Sequence, residues 1–308
     1  MTQSSARLRI GTRGSPLALA QAHEVRARLA AAHGWGEEAI ALEVIRTSGD
    51  RIQDRPLSEA GGKGLFTKEI EEALLDNRID LAVHSAKDVP TILPAGLILT
   101  ACLPREDPRD VLISAKARAL AELPQGAIVG TASLRRQAIV KRARPDLQIV
   151  NIRGNVETRL RKLDDGGADA IVLALAGLRR LGLANRATSV MSIDEFLPAV
   201  GQGAIALETR EADSKARALV AAVDDADTST ALAAERAFLE VLDGSCKTPI
   251  AGHAIINGAT LQFRGLIAKP DGSMAFDIAG TGDRNNAATI GADCGRELKH
   301  RGGSHFFG

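Results

Sequence analysis

Residues 8–34, LRIGTRGSPLALAQAHEVRARLAAAHG, decide the class of fold. Arg9 to Thr12 reads as a strand. Ser15 follows as an N-cap, and Pro16 takes the first helical position, where its missing N–H costs nothing. The helix runs through LALAQAHEVRARLAAAH and stops at Gly34. A strand that turns straight into a capped helix is the repeating element of an α/β sheet. Ligands of such sheets bind beyond the carboxyl ends of the strands, and Arg13 stands at this one.

The same arrangement returns along the chain. LAVHSAKD carries Lys87, IVGTASLRR carries Arg135 and Arg136, LQIVNIRGN carries Arg153, and IVLALAGLRR carries Arg179 and Arg180. One arginine at a strand end is usually solvated; five equivalent occurrences call for another reason. The net charge is only +1, so these cations do not belong to a generally basic surface. Arginine grips carboxylate or phosphate with a planar fork and stays charged at working pH. Helix N-termini at Ser15, Ser133 and Asn155 would add backbone donors. The pattern fits a polyanionic small molecule.

Working outward, strands are expected at 41–47, 80–84, 97–102, 109–113 and 169–174. Helices are expected from Ser133 to about Arg144 and from Asn155, the latter carrying Arg159. Residues 48–64, SGDRIQDRPLSEAGGKG, form a long polar stretch with Lys63 at its end, the composition of a lid. In LPAVGQGAIALE the chain crosses back toward another domain, with Gly201 and Gly203 as hinge candidates. From about residue 222 a helix is followed by AGHAIIN, TLQFRGLIA and SMAFDIAG, divided by turns at Asn257 and Pro270. A helix from Ala287 to Lys299 closes this small α+β domain.

The 308 residues suggest two or three domains, and 45% hydrophobic with 25% charged residues describes a soluble globular protein. Aromatics make up only 3%, too few for base-stacking platforms, and the near-zero charge disfavours nucleic acid. MTQSSARLRI lacks a signal-peptide core, and no run approaches the ~18 apolar residues of a membrane span. Cys102, Cys246 and Cys294 match no zinc spacing, which points to no metal and to a reducing, cytoplasmic setting. Cys102 in LTACLP reads as buried, and Cys294 as a helix-surface residue. Cys246 in LDGSCKTPIAGHA has polar neighbours and reads as an accessible thiol. In HSAKDVP, Asp88 beside Lys87 is either an exposed ion pair or a carboxylate kept ionised by cations. His84 and Ser85 either support such a site or serve only the strand.

In this order, IGTRGSPLALAQ, GGKGLFTKEIE, HSAKDVPT, GTASLRRQ, NIRGNVETRL, LALAGLRRLGL, LPAVGQGAIALE and GSCKTPIAGHA resemble the hydroxymethylbilane synthase (porphobilinogen deaminase) family from about Leu8 to about Gly303. Thr248 and the tail KHRGGSHFFG depart from the family pattern. The resemblance implies a cytoplasmic, monomeric transferase of tetrapyrrole and haem biosynthesis. It joins four porphobilinogen molecules head to tail with loss of ammonia, and hydrolysis then releases 1-hydroxymethylbilane. It also implies a dipyrromethane cofactor held by a thioether to Cys246, with porphobilinogen and the growing polypyrrole as the partners and neither nucleic acid nor membrane.

By the same resemblance Asp88 is the catalytic carboxylate, stabilising the cationic azafulvene left when ammonia departs. Lys87, Thr131, Ser133, Arg135, Arg136 and Arg153 would hold the cofactor. Arg13, Ser15, Arg159, Arg180, Lys63 and Phe66 would serve the substrate. The implied fold is α/β: two domains like those of periplasmic binding proteins plus a small C-terminal α+β domain with a three-stranded antiparallel sheet. Domain 1 would be discontinuous, 1–103 and 204–221, with domain 2 at 104–203 and domain 3 at 222–308. The rival readings are a two-lobed binding protein, which leaves Cys246 and the third domain without purpose, and a nucleotide-binding enzyme, for which the phosphate-loop signature is missing.

Overall fold

Three sheets organise the computed structural model, which describes residues 6–51, 64–243, 249–303 and 306. The order begins with β1 (Leu8–Thr12), α1 (Pro16–His33), β2 (Ile40–Val44) and a short α2 (Ser48–Arg51). Then come α3 (Lys68–Leu75), β3 (Leu81–Ser85), β4 (Leu97–Cys102), β5 (Asp110–Ser114) and β6 (Ile128–Gly130). Next are α4 (Leu134–Ala143), β7 (Gln148–Val150), α5 (Val156–Asp164), β8 (Ala170–Ala174), α6 (Leu175–Arg180) and β9 (Ser189–Val190). The chain continues through β10 (Ile205–Arg210), α7 (Ser214–Ala221) and α8 (Ala226–Val241). It ends in β11 (Ile250–Asn257), β12 (Thr260–Ala268), β13 (Ala275–Asp283) and α9 (Ala287–Gly302).

The described residues fall into two compact units. The first takes those within 6–52, 62–106 and 204–229, and the second those within 107–203 and 230–306. In the first, the sheet order is β2-β1-β3-β10-β4, with β1 parallel to β2 and β3, and β10 antiparallel to β3 and β4. The alternation of strand and helix discloses the parallel strands; β10 is the one that returns from late in the chain. Helix α1 covers one face because Ala22, Val25 and Leu29 recur on one side and meet Ile10, Leu81 and Val83. Ile70 and Leu74 of α3 pack with Ile79 in a separate cluster. Truncating Leu29 to Ala would cost about 2–5 kcal/mol by opening a cavity in this core.

The second unit repeats the plan as β7-β6-β8-β5-β9, with β6 parallel to β7 and β8, and β5 antiparallel to β8 and β9. Its core mixes Val129, Ile139 and Val172 with Phe196 and with Ala251 and Leu266 of the C-terminal sheet. That shared core joins domains 2 and 3 of the sequence reading in one compact body. The C-terminal sheet is β11-β12-β13, antiparallel throughout, and turns at Gly258 and Gly272 where φ is +60° and +74°. Phe238 of α8 and Leu298 of α9 pack beneath it with Phe263.

Two buried groups in this unit carry further information. Cys294 is 5% exposed and packs in the same cluster as Phe238, correcting the expectation of a helix-surface thiol; burial, with Asp293 adding to it, pushes this thiol up. The carboxylate of Glu235 accepts the N–H of Gly201 at 2.7 Å and that of Ala254 at 2.8 Å, so α8 holds both the crossover and β11. Gly201 and Gly203 have φ of +71° and +91°, conformations that favour glycine at the crossover.

Candidate active site

At the carboxyl end of β1, Thr12 Oγ1 donates to the Ala18 carbonyl at 3.2 Å, and Ser15 Oγ accepts the Ala18 N–H at 3.3 Å. These bonds shape the turn that presents Arg13. Its guanidinium stands 4.2 Å from the ring centroid of Phe66, a cation–π contact that limits where the fork can point. At the end of β3 the chain makes a single 3-10 turn, Ala86–Asp88, fastened by the Ala86 N–H to the Ala204 carbonyl at 3.0 Å. Asp88 is half-buried there. One pocket of the first unit brings Arg13, Ser15, Gln21, Phe66, Ser85 and Asp88 together. Gln21 Nε2 donates to Ser85 Oγ at 2.8 Å and supports the wall between β3 and α1. A carboxylate and a guanidinium in one concavity can hold a molecule that bears both an N–H or cationic centre and a carboxylate.

In the second unit the matching strand end has a different character. Thr131 Oγ1 accepts the Ser133 N–H at 3.1 Å, and Ser133 Oγ accepts the Arg136 N–H at 3.4 Å to cap α4. Both hydroxyls use their accepting capacity locally and keep an O–H to donate. Arg135 and Arg136 are 4% and 5% exposed, and both forks reach Asp110, which is wholly buried. Arg135 Nη2 and Arg136 Nη2 each lie 2.7 Å from its oxygens. Gln202 Nε2 donates to the same carboxylate at 3.0 Å. The remaining contacts run to carbonyls, Arg135 Nη1 to Leu197 at 2.7 Å and Arg136 Nη1 to Val172 at 2.9 Å.

Burial alone would raise the Asp110 carboxyl, but the charges of Arg135 and Arg136 outweigh it and hold it below the usual carboxylate range. Burial lowers Arg135, against the pull of Asp110. Two guanidiniums on one carboxylate leave an excess positive charge in a desolvated place. Two donors of the second unit lack partners among the described residues: Arg135 Nε and Arg153 Nη1 are buried and make no hydrogen bond.

Of the other expected residues, Arg159 Nε donates to the Gly154 carbonyl at 2.8 Å on α5, whose N-cap is Asn155. Arg180 Nη2 donates to the Gly203 carbonyl at 2.9 Å, and Arg179 faces Asp107 at 3.6 Å. Lys87 is half-buried beside Asp88. Lys63, Cys246 and Thr248 lie outside the described residues. Sequence reasoning missed Asp110, Gln21 and Gln202. For Asp110 a signal existed: it opens DVLIS, a strand buried at all five positions, and a carboxylate in such a place needs cations. Among the described residues no cluster of three His, Cys, Asp or Glu could hold a metal ion, and no helix is long and apolar enough to cross a membrane.

Residues 8–218 match the family described as porphobilinogen deaminase, dipyromethane cofactor binding domain, and residues 229–300 match porphobilinogen deaminase, C-terminal domain. A porphobilinogen deaminase of Nitrobacter hamburgensis is 62% identical over 298 residues, 97% of this chain and 94% of the relative. One from Nitrobacter winogradskyi matches with the same identity and coverage: 62%, 97% and 94%. Among solved structures, a nutrient binding protein from Burkholderia cenocepacia bound to methionine covers 72% of this chain and 93% of its own. It does so at 15% identity and a TM-score of 0.45.

Proposed function

The chain belongs to the porphobilinogen deaminase family, and from that premise we propose how its residues divide the work. The protein is a transferase that joins four porphobilinogen molecules head to tail, each losing ammonia, and releases 1-hydroxymethylbilane by hydrolysis. The observation that carries the proposal is the pocket in which Asp88 and Arg13 meet. Porphobilinogen has a pyrrole N–H, an aminomethyl group, an acetate and a propionate. Asp88 accepts the pyrrole N–H, and Arg13 with Ser15 takes a side-chain carboxylate. As the C–N bond breaks and ammonia leaves, positive charge spreads over the ring toward its nitrogen. A fixed carboxylate beside that nitrogen stabilises the charge where it develops. The proton lost when the new carbon–carbon bond restores the aromatic ring has Asp88 as its acceptor. Phe66 stacks on Arg13 and holds its fork at this wall.

The donor set of the second unit fits a dipyrromethane, whose pyrroles each bear an acetate and a propionate. Arg135 Nε and Arg153 Nη1 are buried donors without partners, and two guanidiniums share one carboxylate. Thr131, Ser133, Arg135, Arg136, Arg153 and Lys87 would hold the cofactor, and Cys246 would bind it through a thioether. When bound, the dipyrromethane supplies the pyrrole to which the first substrate unit is joined. Arg159, Arg180 and Lys63 serve the lengthening chain. The protein works as a monomer in the cytoplasm; three widely spaced cysteines, odd in number, support a reducing compartment.

Intact mass and peptide mapping test this reading. A dipyrromethane adduct on Cys246, with Cys102 and Cys294 free, is the expected result. Active protein of unmodified mass would sink it.

A further inference from the structure

In the first unit, three ionisable side chains from three elements meet in the interior, and the chemistry above uses none of them. His84 of β3, Glu208 of β10 and Glu71 of α3 are 4%, 0% and 6% exposed. His84 Nε2 lies 3.0 Å from Glu208 Oε2. Glu208 Oε1 and Glu71 Oε1 are buried and make no hydrogen bond. Ionised oxygens without donors are costly to bury. Glu71 feels the charge of both neighbours, His84 and Glu208.

The position of this cluster gives it a consequence. His84 is the penultimate residue of the strand that leads into the Asp88 turn, and it lies opposite Ala206 of β10. The turn itself is fastened to the residue just before β10, through the Ala86 N–H and the Ala204 carbonyl at 3.0 Å. The side-chain bond between His84 and Glu208 therefore locks together the same two segments that fix where Asp88 stands. We propose that Glu71, His84 and Glu208 form a buried triad that positions the Asp88 turn, with His84 as the positioning residue.

The charge on Glu71 is governed by groups from each side. Burial pushes its carboxyl up, the Thr67 hydroxyl lowers it, Glu208 from β10 raises it, His84 from β3 lowers it, and Glu72 on its own helix raises it. A carboxyl that holds its proton more tightly folded than unfolded contributes most below its unfolded value and loses that contribution as pH rises. Deprotonation of Glu71 at higher pH would put a second negative charge beside Glu208 and drive the two carboxylates apart.

The proposal rests on reading Asp88 as the catalytic carboxylate, and the test separates the two. Porphobilinogen consumption and urea unfolding are measured from about pH 5 to 9 for the unaltered holoenzyme and for Glu71→Gln, His84→Gln and Glu208→Gln. His84→Gln and Glu208→Gln should lower kcat roughly 10–100-fold, as small misplacements of a reacting group do, with KM within about twofold. Glu71→Gln, which mimics the neutral acid, should keep its kcat and flatten the decline of stability and of kcat toward alkaline pH.

Profiles that superimpose on the unaltered enzyme, or losses of kcat that simply follow the unfolding midpoint, overturn the proposal. Nitrogen-15 spectra of the His84 ring judge it without turnover. They should change on Glu208→Gln, and identical ring shifts in the two proteins overturn the triad. An unaltered protein that consumes no porphobilinogen defeats the reading of Asp88, while the ring spectra still decide the triad.

Discussion

In both five-stranded sheets a parallel strand runs through a small-residue turn into a serine-capped helix, Ser15 for α1 and Ser133 for α4. The strand beside it also leads into a short helical segment with charged residues, the 3-10 turn with Asp88 after β3 and α6 with Arg179 and Arg180 after β8. What differs is how charge is kept. At the first sheet Arg13 is half-buried against Phe66 and lines a pocket shared with Asp88. At the second sheet Arg135 and Arg136 are buried and bonded to an internal Asp110. One topology thus supports two electrostatic designs. In the first, charge lines an open pocket, which suits the substrate role proposed above. In the second, a permanent ion cluster is built into the fold and suits a cofactor that stays.

The largest expected effect tests the permanence of the second design. Asp110→Ala removes the carboxylate between two buried guanidiniums, and breaking such a cluster costs about 3–5 kcal/mol. Urea unfolding should show the loss, with intact mass revealing poor cofactor loading. In the unaltered protein this contribution is present above the ordinary carboxylate pKa. Since Asp110 is held below that range, it fades as pH falls through the depressed value. A variant as stable as the original would erase the distinction between the two sheets.

Asp88→Asn probes the open design and should do the reverse. Turnover should fall by about 10²–10³, the usual loss when one preorganised electrostatic group is removed, while the unfolding midpoint stays put. An equal fall in stability would make Asp88 a structural residue like Asp110. The smallest effect sharpens what the sheets share. Ser15→Ala and Ser133→Ala each remove one N-cap and should each cost about 1 kcal/mol in urea unfolding. Unequal costs would show that the ion cluster, and not the cap, holds α4.

The caps were legible because they are local: Ser15, Ser133 and Asn155 each accept an N–H three residues ahead in the chain. Strands were legible for the same reason, as short apolar runs ending in small residues. The state of the cations was not. Arg135 and Asp110 are 25 residues apart, and only the order β6-β8-β5 brings them together. His84 and Glu208 are 124 residues apart and depend on β10 entering beside β3. A strand-end arginine reads the same in the sequence whether it faces a ligand or an internal aspartate. The resemblance to a family named Asp88 and Arg13, but it did not disclose which charges the fold itself consumes.

The place of β10 also sets a timetable. In β2-β1-β3-β10-β4, among the described residues, the strand β4 pairs only with β10, which starts about 100 residues after β4 ends. At roughly 5–20 residues per second of synthesis, β3 and β4 wait on the order of 5–20 s for their common neighbour. Until then each presents an unpaired edge, the feature that invites association with other chains. The second sheet has no such delay, since β5 to β9 leave the ribosome as one continuous stretch. Of the two five-stranded sheets, the one whose strands come first is therefore finished last, and a nascent chain of this protein most needs protection while its middle is being made.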